Sequence, residues 1–239
     1  MMSTPKARMD EQTVAMRVAR EFQDGMIVNL GGGIPSLACN FVAEGRDVLF
    51  HTENGALGYG GTASLEEADW NLFNASFQPV TPLPGMSFFS HDEAFAMIKG
   101  GHIDISVLGA LEVSEKGDLA NWAIGNMKDH NGDVVAWIKT GRFPPAIGGA
   151  MDLAVGAKRI IVAMTHTTRD GSPKIVKECK YEITAPGCVS LIVTDMAVIE
   201  VTPAGLVLKE LAPGFTPDDI QAVTEPKLIV ASDLKEIEL

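Results

Sequence analysis

Apolar positions along the first thirty residues recur with two different periods. From Asp10 to Asp24 they fall on one helical face, with Val14, Val18 and Phe22 returning every four residues and Gly25 following as a stop. Met26 to Leu30 is a short apolar run with polar Asn29 near its end, the pattern of a buried strand, and it leads into Gly31-Gly32-Gly33-Ile34-Pro35. Proline suits the first turn of a helix, so a helix is predicted from Pro35 to about Val42. Val48 to His51 reads as a second strand, running into Glu53-Asn54-Gly55-Ala56-Leu57-Gly58-Tyr59-Gly60-Gly61. Strand, glycine-rich loop, helix, strand, glycine-rich loop is the order of a parallel sheet that binds ligands at the carboxyl ends of its strands.

Ser90-His91-Asp92-Glu93 has serine at a cap and glutamate three positions on, a capping box that opens a helix carrying Phe95 and Ile98 to the stop at Gly100-Gly101. Asp104 to Leu108 and Arg159 to Met164 each read as a buried strand after a helix. The pattern then changes. Val189 to Thr194, Ala197 to Val201 and Gly205 to Leu211 have the character of hairpin strands, and Thr216-Pro217-Asp218-Asp219 begins a short final helix. The expected fold class is α/β, with a mainly parallel, helix-covered sheet and a carboxyl-terminal β-hairpin region.

Composition narrows the function classes. The chain has 239 residues, 46% hydrophobic and 21% charged, with no break in composition, so residues 1–239 are expected to form a single domain. A net charge of −12, spread along the chain, repels phosphate backbones and argues against a nucleic-acid partner. Cys39, Cys179 and Cys188 form no pair with metal-ligand spacing and read as reduced thiols of a cytoplasmic protein. The first eight residues lack the apolar core of a secretory signal, and no apolar run approaches the roughly 20 residues that cross a bilayer. The protein is therefore expected to be soluble and cytoplasmic, without a membrane partner.

Two glycine loops are candidate sites. Gly31 and Gly33 have the gap of a dinucleotide-binding turn, but Ser36 stands where a third glycine or alanine belongs and Pro35 stiffens the turn, so a tight turn with close backbone approach competes with nucleotide binding. Asn29 is either a turn-former or a substrate contact. Glu53 follows an apolar strand and sits among glycines that cannot shield it. It is either a solvated loop residue or a nucleophile or general base, and a carboxylate nucleophile with an ordinary pKa of about 4.3 needs no neighbouring base. His51, His91, His102, His130 and His166 share no metal spacing, and Asp104 and Asp152 read as turn or cap residues. No catalytic role is assigned to any of them.

Glu53-Asn54-Gly55 through Gly60 resembles the Ser-Glu-Asn-Gly signature of the family I coenzyme A transferases, and Asn29-Leu30-Gly31-Gly32-Gly33-Ile34-Pro35 is similar to that family's Asn-Leu-Gly-x-Gly-x-Pro segment. The likeness continues through Phe95 to Asp104, Gly117 to Trp122 and Gly148-Gly149-Ala150-Met151-Asp152-Leu153. It covers nearly the whole chain, in order, and resembles the B (β) subunit of the 3-oxoacid or 3-oxoadipate type. The resemblance implies a ping-pong transfer of CoA between an acyl-CoA and a free carboxylic acid, with Glu53 as the catalytic glutamate. Asn29, Gly31, Gly33, Asn54, Gly55, Gly148 and Gly149 would contact substrate or an oxyanion. It implies coenzyme A as a substrate, no tightly bound cofactor and no metal. An A (α) subunit partner in a hetero-oligomer would supply a further glycine-rich oxyanion segment. An acidic surface is a poor match for anionic CoA, so either a few local groups or that partner would hold it.

The sequence departs from the pattern in three places. Ser76-Phe77 stands where many relatives have Gly-Lys, which removes a cation and alters acid specificity. The link from Ala123 to Ile147, carrying Trp137, Lys139, Arg142 and Phe143, is longer than usual and reads either as a surface loop or as a lid. Gly32 replaces a commoner isoleucine. Two other activities stay open on these residues: an acyl-CoA hydrolase on the same scaffold, in which water resolves the glutamyl intermediate, and a regulatory subunit that binds acyl-CoA without turnover.

Overall fold

The computed structural model describes residues 6–123 and 147–239, so the interior of the long 123–147 link lies outside the described residues. The chain runs through α1 (Glu11–Ala19), β1 (Ile27–Leu30), α2 (Ile34–Leu37, continued by a 3-10 turn, Ala38–Phe41), β2 (Leu49–Thr52), β3 (Ala56–Thr62) and β4 (Val80–Phe88). Next come α3 (His91–Lys99), β5 (Ile105–Leu108), β6 (Glu112–Ser114), β7 (Leu119–Ala120), α4 (Ala150–Gly156), β8 (Arg159–Met164) and β9 (Ile175–Val176). It closes with β10 (Val189–Thr194), β11 (Ala197–Thr202), β12 (Gly205–Leu211), α5 (Pro217–Gln221) and β13 (Ile229–Glu236).

Ten of the strands form one sheet, in the order β13-β12-β11-β10-β8-β5-β1-β2-β3-β4. Its middle, β2-β1-β5-β8-β10, is parallel, as the apolar runs predict for strands buried on both faces. β10, β11 and β12 form the expected antiparallel hairpins. On one face α1 and α2 pack Val14, Val18, Phe22 and Ala38 against Val28, Leu30 and Phe50. The other face carries α3 and α4, with Ile98, Leu153 and Ile103 among its core residues, and the small sheet β7-β6-β9.

The elements differ from the sequence reading at instructive points. The first helix stops at Ala19, because Glu21 and Phe22 bond back only three residues and Arg46 Nη1 takes the Phe22 carbonyl at 2.6 Å. The glycine-rich stretch after Glu53 is mostly strand β3, antiparallel to β2, where a loop is expected. Close packing is why glycine sits there: a Cβ on Gly60 would lie 2.6 Å from Thr81 Oγ1, and one on Gly61 2.7 Å from Asn40 Oδ1. The helix at Thr216 is not the last element, since β13 follows and pairs in parallel with β12.

Arg17 ties α1 to the sheet. Its Nε and Nη2 donate to the two carboxylate oxygens of Glu210 on β12 at 2.7 and 2.9 Å, and Nη1 reaches Glu21 at 2.8 Å. Both Arg17 and Glu210 are buried. Removing one partner strands the other charge, so Arg17→Ala is expected to destabilise the fold by roughly 3 to 5 kcal/mol. Urea unfolding measures this. Arg17→Ala combined with Glu210→Ala should be less destabilised than the sum of the single variants.

Candidate active site

The parallel register of β1 and β2 sets Asn29 beside His51, and β2 ends one residue before Glu53. Asn29 is fully buried, and its Nδ2 donates to Glu53 Oε2 at 3.1 Å and to the His51 carbonyl at 3.3 Å. The same Nδ2 lies 3.1 Å from His51 Nδ1. An amide nitrogen only donates, so Nδ1 is the accepting nitrogen of a neutral ring. Burial pushes His51 down to about 4, which keeps it neutral. Glu53 is thus oriented by an uncharged amide donor.

The loop around Glu53 is fixed from three sides. Gly55 has φ +112°, and a Cβ there would sit 2.2 Å from the Phe89 carbonyl oxygen, so only glycine fits the turn into β3. His91 Nδ1 donates to the Glu53 carbonyl at 2.8 Å, with its ring 4.7 Å from that of Phe95. The capping box at Ser90 and Glu93 is present and holds that end of α3 in place. Thr52 Oγ1 donates to Asn54 Oδ1 at 2.8 Å, and Asn54 Nδ2 donates to the Phe73 carbonyl at 2.9 Å.

Gly149 caps α4 and approaches closely: a Cβ there would be 3.0 Å from Phe95 Cζ and 3.8 Å from Glu53 Cγ. Two clefts meet at Glu53. The larger, about 640 Å³, runs between Asn54, the Phe73–Phe77 turn, the start of α3 and Gly148-Gly149. The smaller, about 370 Å³, is walled by Gly31, Gly32, the segment Leu108–Leu111, Trp122 and again Gly148-Gly149. A half-buried carboxylate in contact with both can meet two reactants from different sides.

The structure therefore brings Asn29, Gly31, Glu53, Asn54, Gly148 and Gly149 to one place, with Gly55 shaping the turn beside them. The Gly31 N–H is bonded to the Val107 carbonyl at 2.8 Å, so Gly31 offers the cleft backbone but no free donor. Gly33 lines neither cleft; it caps α2 with φ 79°. Asp104 accepts from the Ile27 N–H and pairs with Lys158, a structural position. The sequence reading gave no site role to His51, His91 or Phe95 and did not single out Phe73. The period of two along β2 was the available signal for His51, which lies on the same face as Glu53. For His91 it was the first position of a boxed helix.

A family model described as Coenzyme A transferase matches residues 11–222. The B (β) subunit of the 3-oxoadipate CoA-transferase of Pseudomonas putida is 44% identical over 222 residues, covering 93% of this chain and 97% of that protein. The β subunit of a probable coenzyme A transferase of Bacillus subtilis is 43% identical over 219 residues, 92% of this chain and 94% of its own. Among solved structures, an acyl-CoA transferase apoenzyme from Escherichia coli O157:H7 superposes with a TM-score of 0.70 at 20% identity. All of this chain is covered there, but it spans only 44% of that longer protein, and the likeness concerns the fold. No helix among the described residues is long and apolar enough to cross a membrane.

The buried imidazoles supply a pH test. Burial also pushes His166 down to about 4. Between pH 6.5 and 4 the unfolded chain takes up protons at His51 and His166 that the native chain refuses, so stability falls as pH drops through that window. Imidazole NMR should show both rings neutral until about pH 4. In urea titrations at pH 5, His51→Gln should remove up to about 2 kcal/mol of the acid-induced loss.

Proposed function

The chain belongs to the coenzyme A transferase family, and on that premise we propose that it is the catalytic-glutamate subunit of a two-subunit enzyme. That enzyme moves CoA between an acyl-CoA and a free short-chain or 3-oxo carboxylic acid. The observation that carries the proposal is the Glu53 carboxylate, held by the Asn29 amide at 3.1 Å where two clefts meet.

In this reading Glu53 attacks the thioester carbonyl of acyl-CoA and expels CoA thiolate, leaving an acyl-glutamyl anhydride. The thiolate then attacks the glutamyl carbonyl, releasing the first acid and leaving CoA on Glu53 as a thioester. A second acid reverses both steps and departs as the new acyl-CoA. One thioester replaces another, so the reaction draws on no metal or nucleotide. The protein's tasks are to exclude water from the anhydride and to stabilise the oxyanion. Asn29 orients the nucleophile, and the backbone at Gly148 and Gly149 borders the reacting carbon. An A (α) subunit closes the clefts and supplies the remaining oxyanion donors. The enzyme works in the cytoplasm with CoA as substrate and no tightly bound cofactor.

Two measurements test this. The chain purified alone should be inactive and should gain activity when its partner subunit is added; full activity alone would remove the two-subunit reading. In the complex, Glu53→Asp withdraws the carboxylate by about 1 Å and should lower the rate by about a hundredfold, with Glu53→Ala lower still. Acyl-CoA without acceptor should leave CoA on wild-type Glu53, located by borohydride reduction and peptide mass spectrometry. Near-normal turnover by Glu53→Ala, or an adduct on another residue, would overturn the assignment. Rapid release of free CoA without any acceptor acid would mark a hydrolase instead.

A further inference from the structure

The larger cleft has an unusual wall. Phe77 is the one non-glycine residue with positive φ, +59°, among the described residues, and it is an aromatic one. Buried Asn74 holds it there. The Asn74 side-chain oxygen accepts from the Ser76 and Gln78 N–H groups at 2.9 and 3.1 Å, and its carbonyl accepts from the Phe77 N–H at 3.0 Å. The Phe77 ring so presented stacks on Phe73, with centroids 6.0 Å apart and planes 18° apart. This turn is bolted to the glutamate loop, since Ala75 N–H donates to Thr52 Oγ1 at 2.8 Å and Asn54 to the Phe73 carbonyl. A bulky residue kept in a sparsely populated conformation by so many bonds points to a use for its position.

The formal charges among the described lining residues of the same cleft are all carboxylates. No lysine or arginine is among its described lining residues, whereas Asp92 and Asp152 both line it. Lys99 pairs with Asp152 at 3.3 Å from outside the lining. The His91 Nδ1 proton is taken by the Glu53 carbonyl. A second carboxylate on the substrate would enter a space walled by Phe73, Phe77 and Phe95, beside Asp92, with no guanidinium or ammonium partner among the described lining residues.

We propose that this cleft selects the acyl group: it takes monocarboxylic acids with an aliphatic or aromatic tail and rejects dicarboxylates, with Phe77 as the specificity-determining residue. The inference rests on Glu53 being the acyl acceptor. It sets this chain apart from what the name of its Pseudomonas putida relative says that protein uses.

The test uses the complete two-subunit enzyme with acetyl-CoA as donor, and compares kcat/KM for butyrate, hexanoate and phenylacetate with succinate, glutarate and adipate. Wild type should favour hexanoate over adipate by at least about tenfold, the scale on which an unpaired polar group in an apolar pocket is discriminated. Phe77→Lys should raise adipate and lower hexanoate, while Phe77→Ala should lower hexanoate and leave adipate unmoved. Equal use of adipate and hexanoate by wild type would overturn the proposal. So would Phe77 variants that lose the partner subunit in gel filtration while the surviving complex keeps its selectivity, since the turn would then be a subunit contact. CoA found on Glu53 together with a dicarboxylate preference sinks only this inference, whereas no adduct with any donor sinks the glutamate reading beneath it.

Discussion

Asn29 Nδ2 lies at the centre of a buried row in which β2, β1 and β5 set His51, Asn29 and Ser106 side by side, and the rest of the site depends on that one amide. Parallel register alone makes the row, and it puts a neutral donor where it can hold Glu53 without cancelling its charge. A cation in the same place would bind the carboxylate more strongly and make it a poorer nucleophile. The apolar runs of the central strands, the helices covering both faces and the neutrality of His51 all serve to keep this row dry and in register.

Much of this was legible in the residue pattern. Fixed local chemistry made the capping box at Ser90, the strand Arg159–Met164 and the hairpin β10–β12 readable from sequence alone. Glu53 stood out because it follows an apolar strand and precedes glycines. What escaped was chemistry between distant residues. His51 and Asn29 meet through a register that no local window contains. Gly60 and Gly61 read as loop because a glycine needed for close packing is indistinguishable in sequence from one needed for a turn. β13 escaped for a different reason: as an edge strand with several exposed positions, it carries too little apolar signal to show its pairing with β12.

Charge connects the chain to its setting. The protein carries −12 overall, its candidate catalytic residue is a carboxylic acid and the larger of the two clefts at Glu53 is bordered by further carboxylates. Binding here therefore depends on shape, apolar surface and backbone donors more than on long-range attraction.

The wide spacing of the site residues along the chain bears on how the enzyme matures. Asn29, Glu53, Asn74, His91 and Gly149 converge from five separate segments, and β5 finds its second parallel neighbour only in β8, which follows Gly149. Such long-range closures form late in folding. A nascent chain that has already exposed Glu53 thus lacks the Gly149 wall of both clefts until that segment has been made and packed. An unfinished chain therefore carries the candidate carboxylate without the site around it.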